Sequence, residues 1–172
     1  YVTYEAVVQA TGAVPVWVPL SADDGFQPRV AAIEASITPR TKAILLNSPH
    51  NPTGQCLTPA MWESIATLCR EHDLWLIVDA VYADLIFDGE HASPDSLPGM
   101  RERTVVISSL SKSHAMTGWR LGWVVGPREL MSHLVNLALC MLYGCQPFIR
   151  DAAIAALDEP PAALAAMRDT YR

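Results

Sequence analysis

Basic residues are scarce in this chain: 12 Lys and Arg stand against 18 Asp and Glu, a formal net charge of −6 with the histidines neutral. A surface that neutralises a phosphate backbone needs the opposite balance, which argues against a nucleic-acid partner. Charge of either sign is thin, at 17% of 172 residues, while apolar residues make up 51%. That is the composition of a chain with a core, and it excludes general disorder.

Cysteine is also sparse. Cys56, Cys69, Cys140 and Cys145 form no CxxC pair and have no histidine partner at zinc spacing, which removes the usual metal sites. Apolar residues already supply a core, so a disulfide scaffold is not needed, and reduced cysteines serving as small apolar filler in a cytoplasmic protein are expected. No unbroken apolar run of membrane length is present. A long stretch free of formal charge, Leu130 to Ile149, contains Ser132, His133, Asn136, Gln146 and Pro147. It reads as buried helix and loop rather than as a span, which needs ~20 predominantly apolar residues. The string NPT at Asn51 has proline where a glycosylation sequon forbids it. Neither an initiator Met nor a secretory leader opens the sequence, and Arg172 falls inside a helical pattern, so an internal fragment is expected.

What is present is an alternation of helix-like and strand-like segments, the pattern of an α/β three-layer sandwich with a mostly parallel sheet. A helix over Tyr4 to Ala10 should stop at Gly12, and Val14 to Val18 reads as a short strand. Arg29 to Ser36 reads as a helix and Lys42 to Leu46 as a strand. Thr58 and Pro59 are an N-cap and first helical residue, opening a helix to about His72. WLIVD (75 to 79) is a continuous apolar run, as expected of a central strand covered on both faces, and Thr104 to Ser108 is another. Leu121 to Val125 follows too soon for a helical crossover and should lie antiparallel. A helix then runs from Gly126 and Pro127 to about Met141, and a further helical pattern from Pro147 to the end, kinked at Pro160 and Pro161.

Polar residues follow three strands at their carboxyl ends: Asn51, then Asp79, then Ser109 with Lys112. Open α/β sheets bind ligands at that edge. A carboxylate closing an apolar strand is costly unless a cation pairs with it. Two nucleotide motifs fail here. A Walker loop requires glycine one and six residues before the lysine, where this chain has Ser111 and Val106. GWRLGWVVG (118 to 126) lacks the GxGxxG spacing and opens a strand rather than a helix.

The blocks NSPHNPTG (47 to 54), VDAVYADLIFDG (78 to 89) and SSLSKSHAMTGWRLGW (108 to 123) resemble the three signature blocks of the class I/II aminotransferases, which use pyridoxal 5'-phosphate (PLP) on fold type I. The resemblance covers essentially the whole chain. It implies that residues 1–146 belong to the large PLP-binding domain and that 147–172 form an interdomain helix leading into a small one.

Residue by residue, the resemblance implies these roles. Lys112 is the lysine that holds the PLP aldehyde covalently and moves the substrate's α-proton, and Asp79 pairs with the pyridine nitrogen so that the ring acts as an electron sink. Asn51 and Tyr82 hydrogen-bond the phenolic oxygen, and Ser109, Arg120 and Ser111 hold the phosphate. Tyr1 aligns with the aromatic residue that stacks on the ring, while His50, His114 and Trp119 are expected as packing or supporting residues. Ala80 departs from the acidic residue found there in many relatives, a change expected to leave the pyridine contact intact. The glycine-rich segment before Tyr1 and the small-domain arginine for the substrate carboxylate have no counterpart in the chain, so the isolated 172 residues are expected to be inactive.

Within the family, YVTYEAV, HDLWLIVD and FDGEHASPDSLPGM are most similar to the branch that transfers the amino group of L-arginine to pyruvate. Two other readings stay open on the same blocks: another PLP reaction, of the β-lyase or cyclopropane-carboxylate synthase type, and the aminotransferase-like sensor domain of a transcription regulator. The family also implies a homodimer, with the uncharged stretch Leu134 to Phe148 as a contributor or as ordinary core.

Overall fold

Four strands lie side by side in chain order, β1 (Ala43–Asn47), β2 (Trp75–Asp79), β3 (Thr104–Ser109) and β4 (Gly122–Val125). The computed structural model describes residues 1–89, 91–158 and 162–172. β1, β2 and β3 run parallel, with Asn47 beside Asp79 and Asp79 beside Ile107. β4 runs antiparallel, Gly122 opposite Ser109. The link between β3 and β4 holds only the single-turn α4 (Leu110–Ser113) and a short 3-10 turn at Thr117–Trp119. No long crossover helix carries the chain back, so it reverses at the same edge. The α/β architecture with a mostly parallel sheet matches the expectation from the sequence.

The core lies on one face of this sheet. In α3 (Pro59–Glu71), Thr58 Oγ1 accepts a 3.2 Å hydrogen bond from the Met61 amide, and Pro59 fills the first turn where no amide donor is missed. Trp62, Ile65, Ala66 and Cys69 recur at helical spacing and are buried. They form one cluster with Leu76 and Val78 of β2, with Ile33 of α2 (Val30–Ser36), and with Leu74 and Met100. Each fully buried large side chain there contributes about 1.5–3 kcal/mol.

Three expectations are corrected. WLIVD alternates instead of being covered on both faces: Leu76 and Val78 are buried, whereas Trp75 is exposed and Ile77 is half-buried. α1 (Thr3–Ala10) does end before Gly12, whose φ of +81° suits glycine. The following Val14 to Val18, however, is not a strand. A strand exists only through its ladder, and no described strand lies beside this segment, so Val14, Val16 and Trp17 are exposed.

The third correction concerns the charge-free stretch from Leu130 to Ile149. It forms α5 (Arg128–Leu142) and the start of α6 (Pro147–Asp158), but no residue of α5 is buried. Leu139 is 55%, Met141 70% and Tyr143 92% exposed. An apolar helix needs cover, but the pattern does not say whether its own chain supplies it; the described residues do not. Cys140 and Cys145 are exposed with it, so only the buried Cys69 serves as core filler, while Cys56 is half-buried. α7 (Ala162–Tyr171) follows, and the kink expected at Pro160 and Pro161 lies outside the described residues. Among the described residues no helix is long and apolar enough to cross a membrane.

Candidate functional site

Because β1, β2 and β3 are parallel and in register, their carboxyl ends deliver three loops to one edge. Asn51 follows β1, Asp79 ends β2 with Tyr82 three residues on, and Ser109 ends β3 with Lys112 in α4 just after it. β4 begins opposite Ser109, which brings Arg120, two residues before Gly122, to the same edge.

Asp79 is half-buried, and both of its carboxylate oxygens are engaged. Oδ2 accepts a 2.6 Å hydrogen bond from the Tyr4 hydroxyl, and Oδ1 accepts one of 3.1 Å from the Val81 amide. Burial first, then the bond to Asp79 and its charge, push the Tyr4 phenol well above the usual tyrosine range. Tyr4 therefore stays protonated and acts as a donor. Tyr1 packs edge-on against the same ring, centroids 5.9 Å apart.

Asn47, the last residue of β1, ties two of the loops together. Its Nδ2 donates to the Asp79 carbonyl at 2.9 Å, and its Oδ1 accepts from the Asn51 amide at 2.7 Å. The Asn51 side chain in turn points at Tyr82, its Nδ2 donating to the phenol oxygen over a long 3.4 Å. Lys112 Nζ stands 5.7 Å from the centroid of the Tyr82 ring, within cation–π range. Tyr1, Asn51, Asp79, Tyr82 and Lys112 are thus joined through a short chain of contacts.

Ser109, Ser111 and Arg120 line a separate open cleft of about 340 Å³ with the start of β4. Ser109 caps α4, its Oγ accepting from the Ser111 amide at 3.3 Å, and its hydroxyl proton remains to be donated. Arg120 is held at φ +50°, a left-handed conformation that costs a non-glycine residue about 1–3 kcal/mol. Its guanidinium donates to the Thr117 carbonyl at 2.8 Å. Gly122 permits the close β3–β4 approach beneath them, since a Cβ there would lie 2.7 Å from the Ser108 carbonyl oxygen. Two hydroxyls and a guanidinium suit an anionic group with several oxygens, such as a phosphate.

The remaining residues divide. Tyr1, 56% exposed, lines a second groove with Asn51, apart from the cleft of Ser109 and Arg120. His50 Nδ1 pairs with Thr53 Oγ1 at 2.8 Å, and His114 Nδ1 with the buried Ser113 hydroxyl at 2.8 Å. Trp119 is exposed rather than packed. Sequence reasoning missed Tyr4 and Asn47. One stands a helical turn after Tyr1 and the other four residues before Asn51, so spacing within the first block and along α1 held the only signal.

The chain is similar to known proteins over its whole length. The chain is 60% identical to "Arginine–pyruvate transaminase AruH" of Pseudomonas aeruginosa over all 172 of its residues, which span 44% of that relative. It is 39% identical to "Putative aminotransferase YugH" of Bacillus subtilis, spanning 45% of it. The chain thus spans less than half the length of these relatives. Among solved structures, an aromatic aminotransferase from Pyrococcus horikoshii superposes with a TM-score of 0.94 at 39% identity, over 99% of this chain and 47% of that one. The family model "Aminotransferase class I and II" matches residues 1–172, and the chain belongs to that family.

Proposed function

We propose that the intact protein is a PLP-dependent transaminase that moves the amino group of L-arginine to pyruvate in two successive half-reactions. The observation that carries this reading is the Asp79 carboxylate, held on both oxygens at the sheet edge that also bears Lys112. The high identity to the Pseudomonas arginine–pyruvate transaminase supports the choice of substrates.

The donor set fits PLP. When bound, that cofactor supplies an electron sink for charge developing at the substrate's α-carbon. In this reading Asp79 keeps the ring nitrogen protonated, while Asn51 and Tyr82 donate to the phenolic oxygen. Ser109, Ser111 and Arg120 hold the phosphate, and Tyr1 covers the ring face. Lys112 Nζ would hold the aldehyde covalently and, once the substrate's amino group displaces it, the freed amine would take the α-proton and deliver it to the former aldehyde carbon. A positioned general base of this kind contributes about 10²–10⁴-fold.

Residues 1–146 are assigned to the large cofactor domain and 147–172 to the connection toward a second domain. The exposed apolar surface of α5 and its C-terminal link, with Leu139, Met141 and Tyr143, supports assembly as a homodimer. The cytoplasm is the proposed location.

The test is the absorbance of the intact protein with PLP, before and after L-arginine and then pyruvate. Conversion of the visible band of the lysine-bound cofactor to that of the amine form, reversed by pyruvate, is expected. Lys112→Ala should bind PLP without the lysine-bound band. A band that no amino acid converts would overturn transamination in favour of a sensor or another PLP reaction.

A further inference from the structure

Beside the cofactor residues lies a second, larger groove of about 580 Å³, and Tyr1, Glu5, Trp17, His50 and Asn51 are on its walls. Tyr1 and Asn51 are assigned above to the ring face and the phenolic oxygen, so the groove borders the proposed cofactor site. Glu5, in the first turn of α1, lines the same groove four residues after Tyr1. Trp17, 58% exposed, adds an indole to the same lining.

The charge character of the lining is one-sided. Among the described residues, Glu5 is the only acidic side chain of the lining, and no Lys or Arg lines the groove. Among the described residues the Glu5 carboxylate receives a single long hydrogen bond, 3.3 Å from the Gln9 side-chain amide, which leaves most of its acceptor capacity open. Burial holds the His50 imidazole below the usual histidine range, so it adds no cation near neutral pH. One carboxylate, aromatic faces and a neutral imidazole make a lining for a planar cation, which pairs with the acid and stacks on indole. The same lining disfavours amino acids with acidic side chains by like-charge repulsion.

We propose that Glu5 and Trp17 form the distal end of the substrate site and select amino acids whose side chain carries a guanidinium. This assignment rests on the transaminase reading, and it places the donor-side selectivity within this chain.

The test uses the intact PLP-loaded protein and its Glu5→Gln variant. L-arginine and L-citrulline have side chains of the same length and shape and differ in charge. The ratio of their half-reaction kcat/KM values is therefore read directly. A fall in that ratio of about tenfold in Glu5→Gln is expected, the size of one charge-assisted contact. Calorimetric binding of 5-guanidinopentanoate, which lacks the α-amino group and cannot react, should weaken by a similar factor. Trp17→Leu should also lower the ratio, by a smaller factor. An unchanged ratio in Glu5→Gln, or arginine and citrulline losing equally, overturns the proposal while leaving transamination intact. If no amino acid is converted at all, the transaminase reading fails, and unaltered 5-guanidinopentanoate binding in Glu5→Gln then overturns the groove assignment as well.

Discussion

The Tyr4 hydroxyl holds Asp79 Oδ2 at 2.6 Å while the Val81 amide holds Oδ1, so the carboxylate is oriented from both sides. Tyr4→Phe deletes one of these donors and keeps the ring that packs against Tyr1. A hydrogen bond to a charged group contributes about 1.5–3 kcal/mol. The intact Tyr4→Phe protein should therefore bind PLP roughly ten- to a hundredfold more weakly by equilibrium dialysis. Unaltered affinity would show that Val81 and the strand end hold the carboxylate without Tyr4.

The raised pKa of Tyr4 has a consequence for stability in alkali. Above about pH 10 the unfolded chain gives up the tyrosine proton, whereas the folded chain, whose Tyr4 pKa is raised, keeps it. The unfolded state then binds fewer protons, so the stability from this group is complete below about pH 10 and declines as the pH climbs toward the folded value. Denaturant midpoints measured from pH 9 to 11 should fall less steeply in Tyr4→Phe than in the parent. Parallel curves would sever the link between Tyr4 burial and alkaline stability.

The contrast between Asp79 and Tyr4 shows what is legible in a sequence. Asp79 closes an apolar strand, where a carboxylate demands an explanation, and Lys112 sits in a block of unusual spacing. Both are visible because local patterning makes them conspicuous. Tyr4 and Asn47 look like ordinary members of a helix and a strand, and their contacts span 75 and 32 residues. Such contacts depend on side-chain direction after folding. Helix ends were legible where capping chemistry is local, as at Thr58 and Gly12. Val14 to Val18 and α5 were misread because strand pairing and burial depend on what lies alongside, which apolar content alone does not specify.

Asn47 offers a check on how the loops are held together. Its amide bridges the Asp79 carbonyl and the Asn51 amide, so Asn47→Ala leaves both groups to find other partners at a half-buried sheet edge. A loss of about 1–3 kcal/mol in unfolding free energy is expected by urea titration of the intact protein. Asn47→Asp keeps the acceptor for Asn51 but sets a carboxylate oxygen against the Asp79 carbonyl and beside its carboxylate, so it should lose at least as much as Asn47→Ala. Parental stability in Asn47→Ala would show that the bridge contributes nothing measurable.

Gly122 controls how closely β4 approaches β3 beneath the proposed phosphate site. An added Cβ would stand 2.7 Å from the Ser108 carbonyl oxygen and 3.1 Å from Ser109 Cβ. The oxygen belongs to the backbone of a paired strand and cannot swing aside, so Gly122→Ala must widen the strand separation at that point. Ser109 lies opposite Gly122 and Arg120 two residues before it, so the shift moves two phosphate-binding side chains apart. Overpacking of this kind costs about 1–3 kcal/mol. Gly118→Ala is the matched control, because a Cβ at Gly118 meets nothing within 4 Å. Gly122→Ala should lose stability and bind PLP roughly tenfold more weakly, with Gly118→Ala close to the parent in both. Equal PLP affinity in the two variants would mean that the phosphate is held elsewhere than between Ser109 and Arg120.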